Sequence, residues 1–443
     1  MIKSVVVAAL AVVALASCSS TPPSTDPDSP QASAEKRAGL PWWQQLNDPA
    51  LNQDITTAFA SNPGLSSVGL RINRADADVA QARASLLPRL NLGASYREGR
   101  REEIDIGPYD LPSWPSSAGL SWEIDVTGKL RAAQNSASEK RNAAIWDFHA
   151  ARLLLGSRLA SARMNLYRFN AEIGNLGEAL AANQGTLKSL TERSNAGLIP
   201  DATLDKQRAK DEQLRRTKLD LERLRDLTHV QLRTLRGGSN PGKPDRKTFP
   251  VPSPLSARPL DQLLTSHPEL LAAKARIRSA FQLETSARLD LLPSFQINLL
   301  ATGAQKKLTD RFRIWTTQAG PSLNIPIYDP ARIAALQTRQ AEAKIASATY
   351  RQTVLDVLAE IDSARINLAS HRAQLATAQR ETSTLARTRT NAREQFEAGL
   401  TSQIEFLDTE RQWLAAKRSQ TSLHQALLSA RIDLIKATGG GRL

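Results

Sequence analysis

Ala82-Arg83-Ala84-Ser85-Leu86-Leu87-Pro88 returns 205 residues later as Ala287-Arg288-Leu289-Asp290-Leu291-Leu292-Pro293. At the same offset Asn62-Pro63, Leu65, Arg71 and Ala75 answer to His267-Pro268, Leu270, Arg276 and Ala280. Further along, Ala196-Gly197-Leu198 and Gly237-Gly238 recur 202 residues on as Ala398-Gly399-Leu400 and Gly439-Gly440. Matches held at a constant offset mean one structural unit used twice. The units fall at 41–236 and 260–443, and the stretch 237–259 between them is too rich in proline for a helix and reads as a linker.

The heptapeptide ending at Pro88 closes a helix, because proline removes a backbone donor and clashes with the preceding turn. The residues after it have period two. Leu90, Leu92, Ala94 and Tyr96 alternate in the first unit, and Phe295, Ile297, Leu299 and Ala301 in the second. The return strands carry Ala118, Leu120, Trp122 and Ile124, then Leu323, Ile325 and Ile327. Strands are expected at about 89–101, 116–127, 294–304 and 312–327, each with one apolar face. In a soluble sheet that face is core; in a membrane barrel it meets lipid, with Trp122 and Trp315 suited to the interfaces. Four strands do not close a barrel, and lipid does not tolerate an open edge, so the barrel reading requires several copies of the chain.

Two proline-free stretches come after the strands, about Lys129 to Ser194 and Ala331 to Glu397. As helices each would be on the order of 100 Å long. The shorter helices, Thr203 to Arg236 and Pro259 to Leu292, would each be roughly 50 Å, so two of them end to end match one long helix. Ser266 with Glu269 is expected to form a capping box at a helix start. Leu407, Leu414, Leu428 and Ile435 keep a seven-residue spacing, broken at Thr421, and suggest a thin coiled-coil seam.

Ahead of the first unit come Lys3 and an apolar stretch from Val5 to Ala16, too short to span a membrane. It ends in Leu15-Ala16-Ser17-Cys18, with the chain's single cysteine. This ending resembles the bacterial lipobox. The resemblance implies a signal peptide over 1–17, diacylglycerol and palmitate on Cys18, and a flexible lipid-anchored segment over 18–40. With Ser19 where an aspartate in this class signals inner-membrane retention, the same resemblance implies the outer membrane.

The formal charge is +14, with basic and acidic residues interleaved and only five tyrosines to stack on bases, so nucleic acid is not expected as a partner. The five histidines (His149, His229, His267, His371 and His424) lack metal-ligand spacing, and no phosphate-cradling glycine loop is present. No enzyme, metal site or cofactor is expected beyond the lipid on Cys18.

The order of Trp42-Trp43 through Asp48-Pro49, Ala82 to Pro88, Trp122 to Arg131, Ala319 to Tyr328, Ala398 to Asp408 and Gly439-Gly440-Gly441 resembles the TolC-like outer-membrane efflux proteins, in their lipoprotein branch. The resemblance implies a mainly α fold with a small transmembrane β part: an internally duplicated α-helical coiled-coil barrel, continued by a β-barrel that three chains complete. It implies a homotrimeric duct in the outer membrane of a Gram-negative bacterium, its helical tunnel in the periplasm. The duct takes substrates from an inner-membrane pump and a periplasmic adaptor. Gly197, Leu198, Gly399 and Leu400 would form adaptor-contacting tips, and Glu405 and Asp408, with Asp201 and Asp205, would line the periplasmic aperture. The alternatives are a non-conducting periplasmic coiled-coil lipoprotein scaffold and a duct dedicated to protein secretion.

Overall fold

The computed structural model describes residues 41–96, 100–103, 107–110, 114–241, 248–253, 260–305 and 314–440. Cys18, and parts of the linker, lie outside the described residues.

A 3₁₀ turn, Trp42–Leu46, leads into α1, Pro49–Ser61, and α2, Pro63–Ala84. Strands β1 (Arg89–Ala94), β2 (Arg100–Glu103), β3 (Gly107–Asp110) and β4 (Trp114–Ile124) come next. Then come α3, Lys129–Asn195, and α4, Asp201–Leu235. The second unit holds α5 (Leu260–Ser266), α6 (Pro268–Leu289), β5 (Ser294–Gln305), β6 (Ile314–Asn324), α7 (Pro330–Glu397) and α8 (Gln403–Ala437). The first strand is shorter than its alternation suggests, stopping at Ala94, and β2 and β3 form a separate ribbon. Among the described residues no helix is long and apolar enough to cross a membrane, which says nothing of a β-barrel.

The sheet order is β1-β4-β5-β6, all antiparallel, so β1 and β6 are its two edges. The register sorts the side chains. Leu90, Leu120, Leu299 and Ala319 share one row, and Leu92, Ala118, Ala301 and Thr317 the next. Trp122, Ile297 and Pro321, then Ile124, Phe295 and Leu323, continue that face toward the helices. The opposite face carries Arg89, Ser121, Asn298 and Gly320, with Glu123, Gln296 and Ser322 below them. One face is thus apolar and one polar across all four strands. Trp114 stands on the apolar face at its far end, Trp122 at the helical end, where its indole N–H donates to the Leu86 carbonyl at 2.9 Å. The Trp122 and Trp114 rows are eight residues apart along β4, about 27 Å, close to the height of a lipid-facing band.

At 67 and 68 residues, α3 and α7 are each about 100 Å long. Near the sheet α3 packs between α2 and α6, and α7 lies along α6; farther away α3 packs between α4 and α8, and α7 lies along α8. The short helices therefore stack end to end beside the long ones. In the first unit Asn62 Nδ2 and Ser61 Oγ donate to the Leu235 and Arg236 carbonyls, each at 2.8 Å, setting α2 on the end of α4. In the second the His267 ring donates to the Ala437 carbonyl and sets α6 on α8.

Two expectations need correction. The helix expected from Pro259 to Leu292 breaks at His267, whose ψ of 122° is extended. The cause is Pro268, which excludes its predecessor from the helical region. For the same reason the N-cap is His267 and not Ser266, so the capping box does not form; Ser266 Oγ bonds back to Leu263 O at 3.3 Å.

The joints sit in the main core. Trp42, Leu46, Leu51 and Ile55 meet Leu159, Met164 and Tyr167 of α3, with Leu232 of α4 and Leu428, Ile432 and Ile435 of α8. Each such burial contributes on the order of 1.5–3 kcal/mol. Asp48 caps α1 by accepting from the Ala50 and Leu51 amides, and its other oxygen accepts from the Tyr167 hydroxyl at 2.7 Å. Asp54 is buried between the Arg163 and Arg236 guanidiniums. Of the seven-residue row, Leu428 and Ile435 enter this core, while Leu414 packs on a second cluster of Phe169, Leu176, Leu214 and Leu221.

Candidate functional site

At the end farthest from the sheet, α3 turns into α4 and α7 into α8 by the same device. Gly197 and Gly399 adopt φ of 69° and 74°. The Leu198 amide donates to Arg193 O and the Gly197 amide to Ser194 O, both at 2.9 Å. Leu400 and Gly399 do the same toward Gln395 and Phe396, at 2.8 and 3.0 Å. This double bond pattern closes a helix C-terminus and needs a residue tolerant of positive φ. Nothing stands within 4 Å of where a Cβ would lie on either glycine, and Leu198 and Leu400 are 73% and 80% exposed. Two largely uncovered apolar side chains project from the tips.

The four acidic residues singled out in the sequence all lie just past these turns, and each is engaged. Thr401 Oγ1 donates to Glu405 Oε2 at 2.7 Å, and the Glu405 amide donates to Ser402 Oγ, the α8 cap, at 3.2 Å. Asp408 accepts from the Arg411 guanidinium and from Gln412 Nε2 at 2.6 Å. Asp201 accepts from Ser194 Oγ at 2.5 Å, across the turn, and Asp205 from Arg208 at 3.2 Å. Within one chain the two pairs are not brought together. Asp408 instead lines a cleft of about 880 Å³ between the two helical hairpins, with Asn183, Gln207, Lys210, Phe396 and Arg411 on its walls.

Sequence reasoning missed what braces this cleft. Phe396 and Phe406 stack across the second turn, centroids 5.2 Å apart and planes 8° from parallel, and the Arg193 guanidinium lies 5.4 Å from the Phe396 ring. One cation thus ties the first tip to the second. The two aromatics flank Gly399 in the sequence, and that placement was the available signal. Farther up, Asn183 Nδ2 donates to Asp211 Oδ1 at 2.9 Å and Arg215 Nε to Asp211 Oδ2 at 2.6 Å, while Gln207 bonds Asn183. Burial opposes the ionisation of Asp211, but the bonds from Arg215 and Asn183 outweigh it and hold its carboxyl below the ordinary value. Glu172, buried between α3 and α8, is shifted upward because burial outweighs Arg168 and Arg418. Among the described residues no group of three or more His, Cys, Asp or Glu could hold a metal ion.

A family model described as "Outer membrane efflux protein" matches residues 55–238 and 260–440. The pyoverdine export outer membrane protein OpmQ of Pseudomonas putida is 26% identical over 97% of this chain and 96% of its own. The probable outer membrane lipoprotein SilC of Salmonella typhimurium is 24% identical over 90% of this chain and 88% of its own. The outer membrane protein VceC of Vibrio cholerae has the same fold, with a TM-score of 0.79 at 23% identity, covering 91% of this chain and all of that one. The CmeC outer membrane channel of Campylobacter jejuni shares it too, with a TM-score of 0.80 at 21% identity over 91% and 89%.

Proposed function

Because the chain belongs to the outer membrane efflux protein family, we propose that its two ends divide the work of an export duct: a β-barrel wall in the outer membrane and a periplasmic tip that docks and gates. The protein is the outer-membrane channel component of a tripartite efflux system in a Gram-negative bacterium. The observation that carries the reading is the sheet, apolar on one face, polar on the other and open at both edges. Lipid does not accept an open edge. β6 of one chain therefore pairs with β1 of the next until three chains close one barrel, with the Leu90 face to lipid and the Arg89 face to the lumen.

Leu198 and Leu400, held out by Gly197 and Gly399, supply the adaptor contact, because exposed leucines at a turn gain most from being covered. Glu405 and Asp408, with Asp201 and Asp205, lie just beyond those tips, and in a trimer their copies crowd toward one axis. Cys18 carries the lipid anchor, a reading supported by a relative named as a lipoprotein. The pump and adaptor hand small molecules to the duct. Mass measurement in mild detergent and conductance in a planar bilayer test the reading. A trimer that conducts is expected; a folded, non-conducting monomer overturns it in favour of a scaffold.

A further inference from the structure

The lumenal face of the sheet is set by the register, and it is mostly amide, hydroxyl and glycine. From the Glu123 row to the Ser117 row three side chains differ. Glu123 is tied by Lys129 at 2.6 Å. The Arg89 side chain, at the helical end of β1, has no ion pair or hydrogen bond among the described residues, and its row continues through Ser121, Asn298 and Gly320. Leu300, in the adjoining row, is the one leucine-sized apolar side chain in those rows and is 41% exposed. Between Leu300 and β1 lies Gly119, and the Leu300 Cδ1 comes within 3.7 Å of where a Cβ would stand on that glycine. Leu300 therefore leans across a bare backbone floor toward the strand that bears Arg89. Two strand spacings and two residues along the strand separate them, about 12 Å, within reach of one small organic molecule. On this face the helical end of β6, the strand that would lie beside β1 of the next chain, offers Ser322 and Asn324 and no carboxylate.

We propose that Arg89 and Leu300 form a subsite in the barrel lumen for amphiphilic organic anions, the guanidinium taking a carboxylate and the leucine the apolar body. Arginine is suited to a carboxylate because its planar donors match it in pairs. The proposal rests on the duct reading. Three copies around the lumen give three such subsites, which hold cargo where it passes from the helical tunnel into the barrel.

The test uses the full trimer in a planar bilayer, with 1-naphthoate added on the outer side. The wild type is expected to show concentration-dependent block by 1-naphthoate and much weaker block by acetate, which lacks the apolar body. Arg89→Gln should weaken the naphthoate block about tenfold, the loss of one charge-assisted hydrogen bond. Leu300→Ser should weaken it about threefold, because part of an apolar contact is removed. Naphthoate block unchanged in both variants overturns the subsite, as does acetate blocking as strongly as naphthoate. A wild type that forms no pore at all counts against the duct reading itself, so the two failures are distinguishable.

Discussion

One helix stop closes four turns in this wall, twice at the tips and twice at the roots, and the surroundings of the two sets are opposite. Gly237 and Gly439 have φ of 70° and 77°, nearly the values at Gly197 and Gly399. At the tips there is open space around the glycine. At the roots a Cβ on Gly237 would stand 2.2 Å from the Ser61 carbonyl oxygen, and one on Gly439 3.1 Å from Pro268 and 3.2 Å from His267. The tip glycines are needed for their backbone angle alone. The root glycines are also needed for the room they leave, because another helix begins on top of them. The same sequence signal thus marks a rigid joint at one end of the wall and a free surface at the other.

The largest effect is expected at the root. Asp54 is 1% exposed and pairs with both Arg163 and Arg236, joining α1, α3 and the end of α4. Asp54→Asn leaves two buried guanidiniums short of a counter-charge and should cost about 3–5 kcal/mol. The heat needed to dissociate the detergent-solubilised trimer measures it. A variant as heat-resistant as the wild type would show that the root is no more rigid than the tip.

Next in size is the glycine comparison itself. Gly237→Ala combines a strained φ with a backbone clash and should cost about 2–4 kcal/mol. Gly197→Ala carries the strained φ alone and should cost about 1 kcal/mol. Equal losses would mean that the helix end at Gly237 can shift away from Ser61.

A finer contrast separates the two roots. Asn62 both accepts from the Leu65 amide at 2.9 Å and donates to Leu235 O. His267 occupies the matching place, but its Nδ1 is buried without a partner. Burial, helped by Lys436 of α8, pushes its pKa below the ordinary 6.5, against the pull of Glu360 of α7 and the hydrogen bond to Ala437. The folded state thus binds its proton less readily than the unfolded chain. The stability linked to His267 is fully present above pH 6.5 and is lost as the pH falls through the depressed folded value. Glu269 and Asp433 nearby are shifted upward, chiefly by burial, and act in the opposite sense. Melting His267→Asn beside the wild type from pH 7.5 to 5 isolates the histidine. The variant should lose less stability on acidification, and a parallel loss would remove His267 from the account.

The fold was legible where the chain punctuates itself. Pro88 and Pro293 end helices, period-two alternation comes after each, and the Ala-Gly-Leu turns stand at one offset. The stacking of short helices on each other came from length alone. The break at His267 was read only in part: a helix start was expected at Ser266, one residue early, and the proline beside His267 was the better guide. The buried Asp54, Arg163 and Arg236 were invisible, since charges on a helix read as a solvated face until a second and third helix cover them. At the tip the acidic residues could be named from the sequence, but the Phe396–Phe406 stack that braces their helices showed only as two aromatics flanking Gly399.

The smallest effect on stability is expected at the tip carboxylates, and here the two ends differ most in kind. Glu405 caps a turn through Thr401, and Asp408 is held by Arg411, itself 70% exposed, and by Gln412. Solvated pairs of this sort contribute about 0–1 kcal/mol. If the tips gather around one axis, three copies of each carboxylate focus a negative potential there and favour cations. Glu405→Ala/Asp408→Ala should then leave heat resistance nearly unchanged while lowering cation selectivity and weakening block by millimolar divalent cations. Asp54→Asn should do the reverse, lowering heat resistance and leaving selectivity alone, since it sits in a core far from either mouth. Recording both variants by single-channel conductance and by heat dissociation tests the division of labour directly. Identical selectivity and block in the tip variant would leave Glu405 and Asp408 as ordinary surface charges, and the constriction would have to be sought among the side chains of the neighbouring cleft.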